Sequence, residues 1–167
     1  MGKSSIGRRL ARSLGVPFTD TDRVVEAQAG CTVAALFERE GEAAFRAAES
    51  EALADALDAG PGVVATGGGI VIAPANRERL QRLATVVYLR SSAAALATRL
   101  RHDTRRPLLQ GSDVLTRLER LLAERDPLYR GVATHVVDAE GSTVSQLAMR
   151  IEALLHGAQA TPRESGS

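Results

Sequence analysis

The chain has 167 residues, 44% of them hydrophobic and 25% charged, values of a single ordinary globular domain with a real core. A net charge of +1 excludes a bulk field that would pull it onto nucleic acid or an anionic membrane. The single cysteine, Cys31, excludes an intrachain disulfide and, with no signal peptide and no long uncharged apolar run, leads to the expectation of a soluble cytoplasmic protein.

In chain order, "MGKSS" opens with the end of a phosphate-loop pattern, Gly2-Lys3-Ser4, which should follow a strand. Lysine and arginine total 21 and Lys3 is the one lysine, so a flexible point charge stands where phosphate binding would demand it. A Ser helix cap after a Gly turn explains the same residues equally well. "SSIGRRLARSLG" carries Ile6, Leu10 and Leu14 on one helical stripe and stops at Gly15. "VPF" begins a strand running into "TDTD". Asp20 and Asp22 would point the same way at its carboxyl end, where open α/β sheets bind ligands. The competing reading makes them a helix cap and a first-turn acid ahead of "RVVEAQAG".

"TVAALFEREGEAAFRAAESEALADALDAG" predicts one or two helices broken near Gly41 and closed at Gly60. Phe37, Phe45 and Arg46 in it suit either the wall of a small anionic site or core packing with a surface cation. "GVVAT" is a short strand, and Gly67, Gly68 and Gly69 after it form either a close-approach loop or a flexible turn. "NRERLQRL" is helical, "ATVVYL" a strand, and "SAAALATRLR" a helix with Ser at its start. Arg99, Arg101, Arg105 and Arg106 surround a polar loop containing Pro107, which reads as a phosphate lid or as a solvated charged loop. "VLTRLERLLAERDPLY" is a helix with Arg125 and Pro127 near its end, "ATHVVDA" a strand, and "TVSQLAMRIEALLHG" the last helix. Residues 157–167 are expected to form a disordered tail.

Helices alternating with four strands predict an α/β three-layer sandwich built on a parallel sheet. A fifth, central strand is expected before "MGKSS". It would bury about four or five apolar side chains at ~1.5–3 kcal/mol each, against ~5–15 kcal/mol for a whole domain. The expectation is therefore a chain short at its N-terminus, unless something else compensates.

The order of "GKSS", "DTD", "FR", "GGG", "RRPLL" and "RDPLY" resembles shikimate kinase over nearly the whole chain. The resemblance implies a P-loop kinase fold and transfer of the ATP γ-phosphoryl group to the 3-hydroxyl of shikimate, with Mg²⁺, in aromatic amino-acid biosynthesis. It implies a single kinase domain over 1–156, a lid at about 102–113 and substrate-binding helices at about 21–58. Gly2, Lys3, Ser4 and Ser5 match the ATP loop, with Ser4 on the metal and Asp20 reaching it through water. Asp22 matches the acid on the substrate hydroxyls, Arg46 and Arg125 the substrate arginines, and Gly67, Gly68 and Gly69 the substrate glycine run. Phe37 and Phe45 match the pocket's aromatic walls. Arg106 matches the lid arginine on the phosphates, and Arg99 an arginine beside adenine. Lys3, Asp22 and Arg106 would carry the chemistry in a monomer.

Two departures stand out. The glycines that begin the family's phosphate loop are absent, and "DAEGSTVSQL" has no adenine-side cation, with Ser142 in roughly that place. Competing readings are a different small-molecule kinase of this fold, such as a gluconate kinase, and a truncated chain that binds shikimate without catalysis.

Overall fold

The computed structural model describes residues 2–101 and 113–160, which fall into two compact units, Met1–Ile70 with Ser142–Ser167 and Val71–Gly141. The first unit contains α1 (Gly2–Leu14), β1 (Phe18–Asp20), α2 (Thr21–Ala29), α3 (Val33–Glu40), α4 (Glu42–Asp58), β2 (Val63–Ala65) and α8 (Val144–Ala160). The second contains α5 (Pro74–Leu83), β3 (Val87–Arg90), α6 (Ala93–Arg101), α7 (Asp113–Val132) and β4 (His135–Asp138). The class is α/β with parallel strands, as the alternation predicts. Among the described residues the strands pair as two ladders, each with two members.

In the first unit, β1 runs parallel to β2 with Phe18 opposite Val63 and Asp20 opposite Ala65. Helix α1 buries Ile6 and Leu10 of the predicted stripe, leaves Leu14 half-buried and adds Ala11, and it packs on α8, which buries Leu147, Ala148 and Ile151. Gly15 takes φ +67° after α1, the left-handed turn that favours glycine at a helix end. Gly7 is required for another reason. A Cβ there would stand 2.6 Å from the Phe18 ring, so α1 approaches β1 as closely as it does only through glycine. Helices α2, α3 and α4 share a cluster of Val25, Leu36, Phe45 and Ala52. The break between α3 and α4 falls at Gly41, at φ +88°.

In the second unit, β3 runs parallel to β4, with Tyr88 opposite Val136. Ser92 caps α6, its Oγ accepting the Ala95 N–H at 3.1 Å, as predicted for a Ser at that start. Helix α7 runs through Pro127 to Val132, past the end expected near Tyr129. Helix α8 continues to Ala160, so 157–160 belong to a helix where a disordered tail was expected. The lid expectation over 102–113, with Arg105 and Arg106, falls almost wholly outside the described residues.

Candidate active site

The first turn of α1, the end of β1, the start of α2, the middle of α4 and the glycine run after β2 all belong to the first unit. They bring together most of the residues singled out by sequence. Asp20 ends β1 with extended backbone, φ −108° and ψ 115°, and caps α2. Its Oδ1 accepts the backbone N–H groups of Asp22 at 3.0 Å and Arg23 at 3.4 Å. Its Oδ2 accepts the Ser4 hydroxyl at 2.6 Å. One carboxylate thus both starts a helix and ties the first turn of α1 to the end of β1.

This geometry corrects the picture of two like-facing carboxylates on an extended segment. The strand stops at Asp20 and the helix begins at Thr21, so Asp22 is a first-turn helical acid. The cap reading is realised, and the cap turns Asp22 toward the glycine run. Thr21, fully buried, holds the same junction with its hydroxyl 3.4 Å from the Ala65 carbonyl oxygen on β2.

At the glycine run, a Cβ on Gly67 would stand 3.3 Å from each oxygen of Asp22 and 3.6 Å from Oε2 of Glu49. A Cβ on Gly69 would collide with the Arg46 guanidinium, 2.7 Å from Nη2. Asp22, Arg46, Glu49, Gly67 and Gly69 therefore converge, and the missing side chains at the glycines are what let the charged groups close in. Gly68 begins the single 3₁₀ turn, Gly68–Val71, that follows.

Glu49 is the residue that sequence reasoning missed. It is 1% exposed, and the Arg46 Nη1 donates to Oε1 at 3.1 Å and Oε2 at 3.3 Å. A buried carboxylate is expensive unless paired, and here the pair holds a guanidinium in one orientation. The second acid on Arg46, Glu42, is exposed and 3.6 Å from Nε, a contact screened by water. Nε itself is buried and makes no hydrogen bond, so the guanidinium keeps donor capacity in reserve. The signal in the sequence was Glu49 sharing the buried face of α4 with Phe45, Ala52 and Leu53. A charge on an apolar helical stripe needs a partner, and Arg46 lies one turn before it.

The two phenylalanines separate in role. Phe45 is 4% exposed in the α2–α4 cluster, so the core-packing reading of this residue is realised. The Phe45 ring lies 4.8 Å from that of Phe37, which is half-buried and retains surface, and 5.2 Å from the Arg46 guanidinium carbon. Lys3 and Ser5 are exposed on the first turn of α1 and Ser4 is half-buried. Arg125 lies in the second unit, half-buried on α7. Arg99 lies on α6, and Arg106 lies outside the described residues.

The donors present fit Mg²⁺. Ser4 and Asp20 offer a hydroxyl and a carboxylate at hydrogen-bond distance, hard oxygens of the kind the ion takes while keeping water and phosphate in most positions. Among the described residues there is no cluster of three or more His, Cys, Asp or Glu that would make an all-protein cage. No helix among them is long and apolar enough to cross a membrane.

The shikimate kinase family model matches residues 1–156. A shikimate kinase of Paracidovorax citrulli is 48% identical over 158 residues, covering 90% of this chain and 86% of that one. A shikimate kinase of Halorhodospira halophila is 50% identical over 157 residues, covering 93% and 88%. Among solved structures, the shikimate kinase of Acinetobacter baumannii in complex with shikimate matches with a TM-score of 0.87 and 36% identity over 96% of this chain and 89% of that one. Agreement of this extent, joined to acid, arginine and glycine groups converging in the order the motifs run, places the chain in the shikimate kinase family.

Proposed function

We propose that the chain transfers the γ-phosphoryl group of ATP to the 3-hydroxyl of shikimate. The observation that carries this reading is the convergence of Asp22, Arg46 and Glu49 on Gly67 and Gly69. It joins a carboxylate for a hydroxyl, a fixed guanidinium for a carboxylate, and bare backbone for close approach. Shikimate, a polyhydroxylated carboxylic acid, asks for that combination.

Phosphoryl transfer needs alignment and charge neutralisation more than covalent help. Asp22 orients the attacking hydroxyl and accepts its proton on a carboxylate oxygen. Arg46, held by Glu49, takes the substrate carboxylate, and Arg125 supplies a second guanidinium. The N–H groups of the first turn of α1 and the Lys3 ammonium hold phosphate oxygens. Ser4, with Asp20 acting through water, would hold Mg²⁺, which when bound neutralises charge on the β- and γ-phosphates. Arg106 and Arg99 serve the ATP side. The lone Cys31 is a free thiol, in keeping with the reducing cytoplasm in which we place this enzyme, as a monomer.

The test is ATP- and Mg²⁺-dependent phosphorylation of shikimate, with gluconate and nucleoside monophosphates as competing acceptors. Turnover confined to shikimate is expected. Lys3→Ala should lower kcat by about 10²-fold or more with shikimate affinity within a few-fold, because the ammonium acts on transition-state charge. Asp22→Asn should damage both kcat and shikimate affinity. Preference for another acceptor, or full turnover in Lys3→Ala, would sink the reading.

A further inference from the structure

In the second unit, β3 and α7 are joined by a cluster that the phosphoryl-transfer chemistry does not use. The Tyr88 hydroxyl on β3 donates to Oδ1 of Asp126 at 2.9 Å. Nε of Arg130 donates to Oδ2 of the same carboxylate at 2.8 Å. The Tyr88 ring also packs on Tyr129, with centroids 4.8 Å apart. One strand side chain therefore touches two positions of α7 on successive turns, and both oxygens of Asp126 are engaged.

This cluster sits where α7 is intrinsically weak. Pro127 lies inside the helix, lacks a donor for the carbonyl four residues back, and crowds that turn. A helix interrupted in this way normally ends or kinks. Here it continues to Val132, and the Asp126–Arg130 pair spans the proline from one side to the other. Arg125 immediately precedes Asp126, so its direction is set by the same turn.

We propose that Asp126, clamped between Tyr88 and Arg130, is a positioning residue for Arg125, fixing the α7 turn that carries it. The clamp acts on substrate affinity through Arg125, and nothing in it touches the reacting atoms. The proposal rests on the reading of Arg125 as a substrate arginine.

The test compares Tyr88→Phe, Asp126→Ala, Asp126→Asn and Arg125→Ala in the full chain. The readouts are shikimate Kd by calorimetry, the KM of each substrate, kcat and Tm. Tyr88→Phe removes one oxygen and keeps the ring on Tyr129, so the fold is retained. It should weaken shikimate binding by about three- to tenfold, the worth of one hydrogen bond. Its ATP KM and kcat should stay within about twofold. Asp126→Ala should weaken shikimate binding by about tenfold or more. Asp126→Asn, whose carbonyl oxygen still accepts the Tyr88 hydroxyl, should recover most of that loss.

A merely structural role would lower Tm and move both substrates together, and that pattern overturns the clamp. Unchanged shikimate affinity in Tyr88→Phe also overturns it. If Arg125→Ala weakens shikimate binding and Tyr88→Phe does not, the clamp falls and the substrate reading stands. If Arg125→Ala leaves shikimate untouched, the substrate reading of Arg125 falls and the clamp with it.

Discussion

Tyr88 and Asp126 perturb each other in ways that can be titrated. The Tyr88 phenol is pushed up to about 12, first by burial, then by its hydrogen bond to Asp126 and the charges of that carboxylate and Tyr129, against Arg130. Asp126 is held below its usual range by the Arg130 hydrogen bond, with burial opposing and the Tyr88 hydroxyl assisting. For Tyr88 the folded value is raised, so its contribution to stability is whole below pH 10.0 and lost as pH rises toward about 12. For Asp126 the folded value is depressed, so its contribution is present above pH 3.8 and fades as pH falls below it. Phenolate absorbance should show a late-titrating tyrosine that Tyr88→Phe deletes. Asp126→Asn should bring that titration down only part of the way, because burial, the largest cause, is untouched. A return to the ordinary phenol value would mean that Asp126, not burial, sets it. None of this was visible in the sequence. Tyr88 and Asp126 are far apart along it, whereas Lys3 announces itself as the chain's one lysine. Glu49 lies between these cases, since its helical register was readable but its partner's direction was not.

Strands and helices were legible because each has a period and a stop. Ile6 and Leu10 mark the buried face of α1, and Gly15 ends it. What escaped were junctions decided by side chains reaching across elements. The Asp20 cap that starts α2 at Thr21 was weighed in the sequence but its contact with Ser4 was not, and α7 continues past Pro127 with Asp126 and Arg130 paired across it. The close approach of α1 to β1 belongs to this group, since Gly7 reads in sequence as a mild defect in a helix. Gly7→Ala would place a methyl 2.6 Å from the Phe18 ring, well inside contact distance. The better helix propensity of alanine, worth ~1 kcal/mol, should be outweighed by overpacking that costs ~1–3 kcal/mol. Net destabilisation in urea is expected, with Gly7→Ala/Phe18→Leu recovering part of it. A stabilised Gly7→Ala would show that β1 yields easily. Because Phe18 is two residues from Asp20, the single variant should also loosen the Ser4–Asp20 contact and raise the Mg²⁺ requirement.

The molecule as a whole carries almost no net charge, so recognition of an anionic substrate has to be local. A field from +1 over the chain steers little, and what remains is screened within about 8 Å at physiological salt. A guanidinium locked by a buried acid is screened less, since the Glu49 side of the Arg46–Glu49 pair is buried. Shikimate affinity should therefore fall only about two- to threefold between low and physiological salt. Arg46→Ala should cost it about tenfold or more, and it also strands the Glu49 carboxylate. Binding to the native state alone adds stability by mass action, ~2.7 kcal/mol at a hundred times Kd. For a chain of this size that is a Tm rise of roughly 5–10 °C. Shikimate without nucleotide should produce this rise in the unmodified chain, and Arg46→Ala should abolish it at the same concentration. A rise that needs ATP would mean that the residues proposed to bind substrate, Asp22 and Arg46 beside Gly67 and Gly69, are not competent until nucleotide binds. A rise that survives Arg46→Ala would assign the carboxylate to another cation, with Arg125 the first to test.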